Sequence, residues 1–396
     1  MAAIDGQEFC ISPNEPPKPL SPEIKAASEA IPPFFIKEIT CIPPVPEIPG
    51  EPLAATLVRE IIGTGQCRST ASPSEEAQGK MRELTQKCIE DGIPIPILVP
   101  MGPKKPVPDA GVDVAEVCAL KTLAALRRRI LTRYDKGVHF YFREEDVTGW
   151  YLEGDVPNIR EHIEKYISGF EGLVKALGYD SFMTPFRESE LTDLQAYVDR
   201  SSKMEPLLKS YIEETDQAGL DNFEQLQSYK DLVTNGWQGS VPLEQREFYR
   251  NRYSFLYPDR TPQEIDAMMV RYLATTLARY QLHAAFPPEI ANGHFQLNFA
   301  PPVPGSPKSL STTRVYWRPL PISIHKSATP FWRARGYLKE QPDGSLCPNL
   351  ASWQGSLPLT SRIVRLGSGD EAVDIQADIL SQQPNQSPRR VFEAKT

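Results

Sequence analysis

Apolar residues recur along the middle of the chain with periods that predict helices separated by short strands. The strongest helical pattern runs over 112–134 and stops before Gly137, a residue suited to end a helix. Short apolar runs at 93–99 and 138–142 flank this helix and predict strands. A strand, a helix and a second strand in this order predict the βαβ unit of a parallel sheet.

The same patterns extend the prediction on both sides of this unit. Helices are predicted over 53–62, 75–91, 158–179, 190–212, 221–233 and 261–283. Thr261 and Glu264 have the spacing of a capping box at the start of the last helix. Further strands are predicted at 181–186, 294–300 and 314–321. The predicted fold class is therefore α/β, a Rossmann-like parallel sheet with helices on both faces and a helical insertion over about 190–285.

Proline defines the two ends of the predicted domain. The chain has 39 prolines in 396 residues, and 12 of them lie in the first 52 residues. Proline removes a backbone donor and disrupts helices, so we predict a Pro-rich, poorly ordered arm over 1–52. A single catalytic domain is predicted over 53–370, followed by a flexible tail over 371–396.

Charge and cysteine spacing exclude several classes of protein. The formal net charge of −8 argues against a chain built as a whole to coat nucleic acid. The six cysteines lie far apart and form no CxxC pair, so neither a zinc site nor a disulfide framework is predicted. We find no signal peptide pattern and no apolar run of membrane-spanning length. We therefore expect a cytoplasmic protein that uses no metal, no cofactor and no membrane.

A pair of lysines follows the first predicted strand, in the stretch ILVPMGPKKP. Lys104 and Lys105 lack the glycines of a dinucleotide or ATP grip. They are interpreted either as a solvated pair or as an anion contact at the carboxyl edge of the sheet.

Acidic residues follow the second and third strands, where a parallel sheet presents its ligand-contacting loops. They are Glu144, Glu145, Asp146, Glu188 and Glu190. Such carboxylates can hold a cationic substrate group or transfer protons, and exposed acidic turns are the alternative. Asp113 and Glu116 lie in the first turn of the long helix, where the helix dipole already favours acidic residues.

Basic residues form two further groups. Arg129, Arg133 and Lys136 share one stripe of the long helix, which suits a phosphate backbone or a solvated helix end. The segment 301–338 interleaves aromatic residues with cations that include Arg314 and Arg318. It suits a nucleic-acid end or an aromatic substrate, and equally strands that cover a core.

The order of segments in the middle of the chain resembles the isocyanide synthase family of the pyoverdine/dityrosine type. The likeness rests on PMGPKKP, DVAEVCALKTL, ILTRYDKG and HIEKYISGFEGLVKAL, and it returns at GSPKSL and TPFW. The resemblance implies a Rossmann-like enzyme that acts on an amino acid and a sugar phosphate, with Lys104, Lys105 and Arg314 at the phosphate. FREEDVTGWYL and HFQLNFAPP depart from the family's loops.

In overall character the chain also resembles the fungal arginine-containing cyclodipeptide synthases. That resemblance implies an enzyme that joins arginine and a second amino acid, taken from aminoacyl-tRNAs, into a diketopiperazine. Arg129, Arg133 and Lys136 would then contact tRNA, and Asp146 and Glu188 would hold the arginyl side chain. The catalytic residues would be Glu145, Asp146 and Glu188. Substrate contacts would come from Lys104, Lys105, Asp113, Glu116, Glu144, Glu190, Arg314 and Arg318. A non-catalytic Rossmann-like binding protein is the third interpretation.

Overall fold

The main structural feature of the described chain is a parallel β-sheet. In sheets of this kind, ligands bind at the carboxyl ends of the strands. A computed structural model describes residues 45–62, 73–101, 112, 114–144, 146–147, 159–218, 223–235, 250–251, 253–254, 259–281, 286–298, 314–316, 337–340, 346–349, 359–366 and 372–380. Five strands among these residues form this sheet: β1 (Ile95–Met101), β2 (Val138–Glu144), β3 (Met183–Arg187), β4 (Phe295–Asn298) and β5 (Arg314–Tyr316).

The strand order confirms the predicted α/β, Rossmann-like fold. The strands lie in the order β3-β2-β1-β4-β5 and every neighbouring pair is parallel. This is the order of the first five strands of a doubly wound Rossmann sheet. Such a sheet binds ligands outside the carboxyl ends of its strands, close to the point where the strand order reverses. Here the order reverses between β1 and β4.

Helices that connect neighbouring strands run back along the sheet. Helix α3 (Val114–Leu131) joins β1 to β2, and α4 (Ile159–Ala176) joins β2 to β3. Since each helix leaves a carboxyl edge and returns to an amino edge, its first turn lies near the carboxyl ends of the strands. Tyr134, just after α3, confirms the direction, because its hydroxyl lies 2.7 Å from the carbonyl oxygen of Ile93, ahead of β1.

Within residues 45–62 and 73–94, two helices precede the sheet, at the bounds that the hydrophobic pattern predicts. They are α1 (Leu53–Ile62) and α2 (Glu75–Asp91). Ser74 caps α2 by accepting a hydrogen bond from the Ala77 amide, and Gly92 ends the helix in the left-handed region with a φ of 64°. The apolar faces of α1 and α2 join the same core as β1, β2, α3 and α4.

The described residues between β3 and β4 are mainly helical, as predicted, and some of these helices pack on each other. It contains α5 (Glu188–Leu191), α6 (Leu194–Ala218), a 3₁₀ turn (Phe223–Gln225), α7 (Gln227–Thr234), α8 (Pro262–Gln281) and α9 (Pro288–Ala291). A separate apolar cluster joins α6, α7 and α8. Thr261 and Glu264 form the predicted capping box, with the Thr261 amide donating to Glu264 and the Glu264 amide donating to Thr261. Ile290 of α9 packs against Leu98 on the other face of β1.

A second sheet covers the outer side of α3 and α4. It contains β6 (Tyr337–Glu340), β7 (Leu346–Asn349), β8 (Leu359–Leu366) and β9 (Val373–Leu380), in the order β7-β6-β9-β8. Its pairs are antiparallel except β6 with β9. The two sheets and the helices between them share one core. This sheet was not predicted from the sequence.

The predicted flexible tail does not hold for its first part. Ile375, Ala377 and Ile379 of β9 alternate with polar residues and are buried in the shared core. This period of two is typical of a half-buried strand. Most of the predicted N-terminal arm lies outside the described residues. In the part of the chain that the structure describes, no helix has the length and apolar character to cross a membrane.

Candidate functional site

The register of the sheet brings the two predicted acidic loops together. Glu144, the last residue of β2, pairs with Arg187, the last residue of β3. On the other side, Glu144 pairs with Met101 at the carboxyl end of β1. The loops that leave β2 and β3 therefore start side by side at the ligand-binding edge of a Rossmann sheet.

Asp146 joins these two loops through a small hydrogen-bond network. Its side chain is fully buried. One carboxylate oxygen accepts from the amides of Val147 at 2.9 Å and Ser189 at 3.1 Å, and the other accepts from the Ser189 hydroxyl at 2.5 Å. Three donors on a carboxylate fix its orientation and satisfy it electrostatically. Asp146 therefore links the residues after β2 to the residues after β3.

Glu144 has the opposite environment. It is 1% exposed, and neither of its carboxyl oxygens has a hydrogen-bond partner among the described residues. Burial, with a further contribution from the carboxylate of Glu171, raises the pKa of Glu144 from its ordinary value of 4.5 to about 9. Arg187 opposes this shift without cancelling it. Glu144 therefore carries a proton at neutral pH.

Arg187 shows how this edge accommodates a guanidinium group. Its Nη1 donates to Glu164 of α4 at 2.6 Å, and its Nε lies 3.8 Å from Glu171, two turns further along the same helix. Glu164 and Glu171 are both partly exposed. The sequence analysis missed Arg187, Glu164 and Glu171 as site residues. The spacing of seven between the two glutamates, which puts them on one helix face, was the available signal.

The other acidic residues predicted for the site differ in burial. Glu116 is buried in the first turn of α3 and accepts a hydrogen bond from the Tyr166 hydroxyl of α4 at 3.2 Å. Glu188 is buried at the start of α5, and Glu190 in the same short helix is exposed. Glu116 thus links the two connecting helices, while Glu188 and Glu190 extend the acidic edge beyond β3.

The opposite face of the sheet carries a second group of polar and aromatic side chains. His139 of β2 shares a 2.8 Å hydrogen bond with the Thr184 hydroxyl of β3, and its ring contacts Tyr141. Burial is the main cause of a lowered pKa at His139 and at His294. A buried apolar cluster of Leu98, Phe186 and Ile290 adjoins the partly buried Tyr141. The alternation of His139, Tyr141 and Arg143 along β2 was the signal for this face.

The basic residues at and just beyond the end of α3 lie at the opposite end of that helix from the acidic strand ends. Arg129 forms an ion pair with the buried carboxylate of Glu60 in α1, and Arg133 Nε lies 3.1 Å from the same carboxylate. Arg133 also contacts Glu47 at 3.0 Å. Lys136, beyond the helix end, lies 3.4 Å from Asp135. Their predicted contact with tRNA stays a prediction, now at the amino edge of the sheet.

Several predicted site residues lie outside the described residues. They are Lys104, Lys105, Asp113, Glu145 and Arg318. Arg314 is the first residue of β5, and its backbone pairs with Gln296 of β4. Their proposed roles stay predictions.

A groove between α1 and α2 is separate from this edge. It has a volume of about 720 Å³ and is lined by residues such as Pro52, Arg82 and Asp91. Every residue that lines it belongs to α1, α2 or the residue before α1. It includes none of the predicted site residues, so the candidate site is defined by the strand ends and their carboxyl groups.

Comparison with known proteins finds only distant structural similarity. No protein-family model and no curated protein matches the sequence. Among solved structures, the chain is similar to the PvcA protein from Pseudomonas aeruginosa, with 16% identity, a TM-score of 0.43, and coverage of 76% of this chain and 93% of that one. It is also similar to a tryptophanyl-tRNA synthetase from Trypanosoma brucei, with 14% identity, a TM-score of 0.26, and coverage of 54% and 49%.

A third similar structure is a CDPS (cyclodipeptide synthase) from Fluoribacter dumoffii. It has 10% identity and a TM-score of 0.28, with coverage of 57% of this chain and 90% of that one. Overlaps of this extent carry no argument about activity. The Rossmann-like assignment rests on the strand order of the chain itself.

Proposed function

We propose that the chain is a cyclodipeptide synthase that joins arginine and a second amino acid from aminoacyl-tRNAs into a diketopiperazine. The observation that carries the proposal is the group of carboxyl side chains at the adjoining ends of β2 and β3. Glu144, Asp146 and Glu188 are buried there, in a chain with a formal net charge of −8. A cationic amino-acid side chain complements such an edge through charge-assisted hydrogen bonds.

The way in which Arg187 is held supports arginine as the substrate. A guanidinium group presents a planar fork of donors that matches carboxylates, and Arg187 already lies between Glu164 and Glu171 at this edge. In the proposal, Glu188 and Asp146 hold the arginyl group of the substrate. The hydrogen bonds from Ser189 would keep Asp146 in place during binding.

The proposed chemistry requires proton transfer rather than an external cofactor. The amine of one aminoacyl ester attacks the ester carbonyl of the other, a C–N bond forms, and the C–O bond to the tRNA breaks. A second attack of the same kind closes the ring. Each attacking ammonium group must first lose a proton, and each departing tRNA hydroxyl must gain one. Carboxyl groups such as Glu145 and Glu188 are suited to this exchange, and Asp146, fixed by its three donors, would position them.

Mass spectrometry of a bacterial host that expresses the protein tests the proposal. With isotopically labelled arginine in the medium, extracts should contain a diketopiperazine that carries the label. Glu188→Gln removes one charge with little change of shape and should reduce the product at unchanged protein level. Glu76→Gln is the matched control, because Glu76 is exposed on α2, where it pairs with Lys80. A folded protein that yields no labelled diketopiperazine would contradict the proposal.

An isocyanide synthase-like activity on an amino acid and a sugar phosphate is the second candidate. The segment order from PMGPKKP to HIEKYISGFEGLVKAL favours it. In that case product formation in vitro should require the sugar phosphate and should persist after ribonuclease treatment. The cyclodipeptide reaction should show the reverse dependence.

A further inference from the structure

Glu144 combines two properties that are costly together. It is 1% exposed, and neither oxygen of its carboxyl group has a hydrogen-bond partner among the described residues. Burial of a polar group without a partner costs about 1–3 kcal/mol in proteins, and burial of an unpaired charge costs more. An apolar residue at this position would continue the face of Phe140 and Phe142 without that cost.

The groups around Glu144 come from four parts of the fold, and most of them are acidic. Glu171 faces it from α4, Glu190 from α5, and Asp146 from the loop that follows β2. Arg187, at the end of β3, is the cation among the described groups that act on it. This cation is already paired with Glu164 and lies close to Glu171. The surroundings therefore hold more negative charge than the local cation offsets.

An unpartnered carboxyl group in acidic surroundings is an incomplete site. Without a ligand, the carboxyl group avoids a buried negative charge by keeping its proton. A cation that binds at this edge lowers the pKa of the carboxyl group, because the ionised carboxylate then has a partner of opposite charge. Loss of the proton and gain of the cation are therefore linked events.

We propose that Glu144 binds the cationic group of the substrate in exchange for its own proton. The O–H bond of the carboxyl group breaks, the proton passes to solvent, and the carboxylate forms an ion pair with the guanidinium. Charge is balanced because one cation enters as one proton leaves, and no electron is transferred. This inference rests on the proposed function, since it assumes an arginyl ligand at the acidic edge.

Calorimetry with a single-charge probe tests the exchange. Nα-acetyl-L-argininamide carries a guanidinium that stays charged and has no free α-amine. Titrations at pH 7 in two buffers of different ionisation enthalpy should show release of about one proton per bound ligand. Affinity should rise about tenfold per pH unit between pH 5 and pH 8, because each unit removes tenfold more of the competing protons. The neutral citrulline analogue should release none.

Two variants separate the role of Glu144 from general effects. Glu144→Gln should bind the probe more weakly, with no proton release and no pH dependence. Glu76→Gln, on the exposed face of α2, should behave as the wild type. The wild-type measurement needs no variant, so it decides the matter even if Glu144→Gln fails to fold.

The outcomes distinguish the exchange from the proposed function. Binding of the probe without proton release in the wild type would overturn the exchange and leave an arginine site standing. An absence of binding would contradict both. Proton release that persists in a folded Glu144→Gln would assign the exchange to a different group and overturn the role of Glu144.

Discussion

Replacement of Glu144 by Gln should change how the stability of the free protein depends on pH. The folded state holds the Glu144 proton up to about pH 9, whereas an unfolded chain loses it near the ordinary pKa of 4.5. Between these values the unfolded state binds fewer protons than the folded state, so the free energy of unfolding falls as pH rises. The slope from this one group is about −1.4 kcal/mol per pH unit.

At pH 7 the protonation of Glu144 costs the folded state about 3.5 kcal/mol, from 1.4 kcal/mol for each of the roughly 2.5 pH units above 4.5. Since Gln does not ionise, the variant escapes this cost. The variant minus wild-type difference in the free energy of unfolding should therefore rise by about 3 kcal/mol between pH 5.5 and pH 7.5. Below pH 4.5 the difference should become constant, because both states of the wild type are then protonated.

Urea unfolding at pH 5.5, 6.5 and 7.5, followed by circular dichroism, measures this difference. Other groups titrate in both proteins and cancel in the subtraction. Glu190→Gln is the matched control, because it removes an exposed carboxylate of the same edge and should keep the wild-type slope. A difference for Glu144→Gln that stays flat across these pH values would refute the conclusion that Glu144 is protonated in the folded protein.

Three further substitutions test other contacts. Glu60→Gln should lower the free energy of unfolding by about 3 kcal/mol in urea titrations, because it leaves buried Arg129 without its carboxylate. An unchanged midpoint would mean that the ion pair is not formed. Ser189→Ala should cost about 2 kcal/mol by the same assay and should reduce the product, because the hydroxyl donates to buried Asp146. Lys136→Glu should leave stability within about 0.5 kcal/mol, since Lys136 is half exposed. If tRNA binds at this end, product formation in this variant should fall; unchanged product would count against that contact.

Local hydrophobic periodicity was sufficient to predict the helices that pack on the parallel sheet. The predicted helices at 53–62 and 75–91 coincide with α1 and α2, and the helix predicted at 112–134 contains α3. In these segments the apolar residues recur on one helix face over several turns. The face that the local pattern predicts is therefore the face that packs in the core. The capping box at Thr261 was also predictable, because both partners lie within one helical turn.

The second sheet could not be predicted in the same way. Its strands β6 and β7 have four residues each, too few to establish a period of two. β9 does alternate, in VDIQADIL, and pairs with β8 just before it, but its other partner, β6, lies farther back along the chain. Strand pairing between distant segments depends on register and burial, which a local pattern does not contain.

The candidate site was also predicted only in part from the sequence. The sequence placed acidic residues after two strands, and parallel pairing explains why those strand ends meet. It did not predict the burial of Glu144, because the strand was expected to end at residue 142. Two more residues in β2 put Glu144 on the same face as Phe140 and Phe142, under α4. The two additional strand residues therefore place Glu144 inside the sheet as a buried, protonated acid, and not in a loop after the strand.

The two ends of α3 carry opposite charge, and they balance that charge in different ways. At the carboxyl edge of the sheet, near the start of α3, Glu144 of β2 has no hydrogen-bond partner among the described residues. It stays neutral by holding a proton. Roughly 20 Å away along the helix, from the spacing of Glu116 and Arg129, Arg129 and Arg133 pair with Glu60, and Arg133 also pairs with Glu47. Charge reversal at Arg129 would break its ion pair with Glu60 and so destabilise the packing of α1. A loss of nucleic-acid binding in that variant would therefore not identify a direct contact. The acidic edge differs, because its charge is balanced by a proton that a ligand can displace.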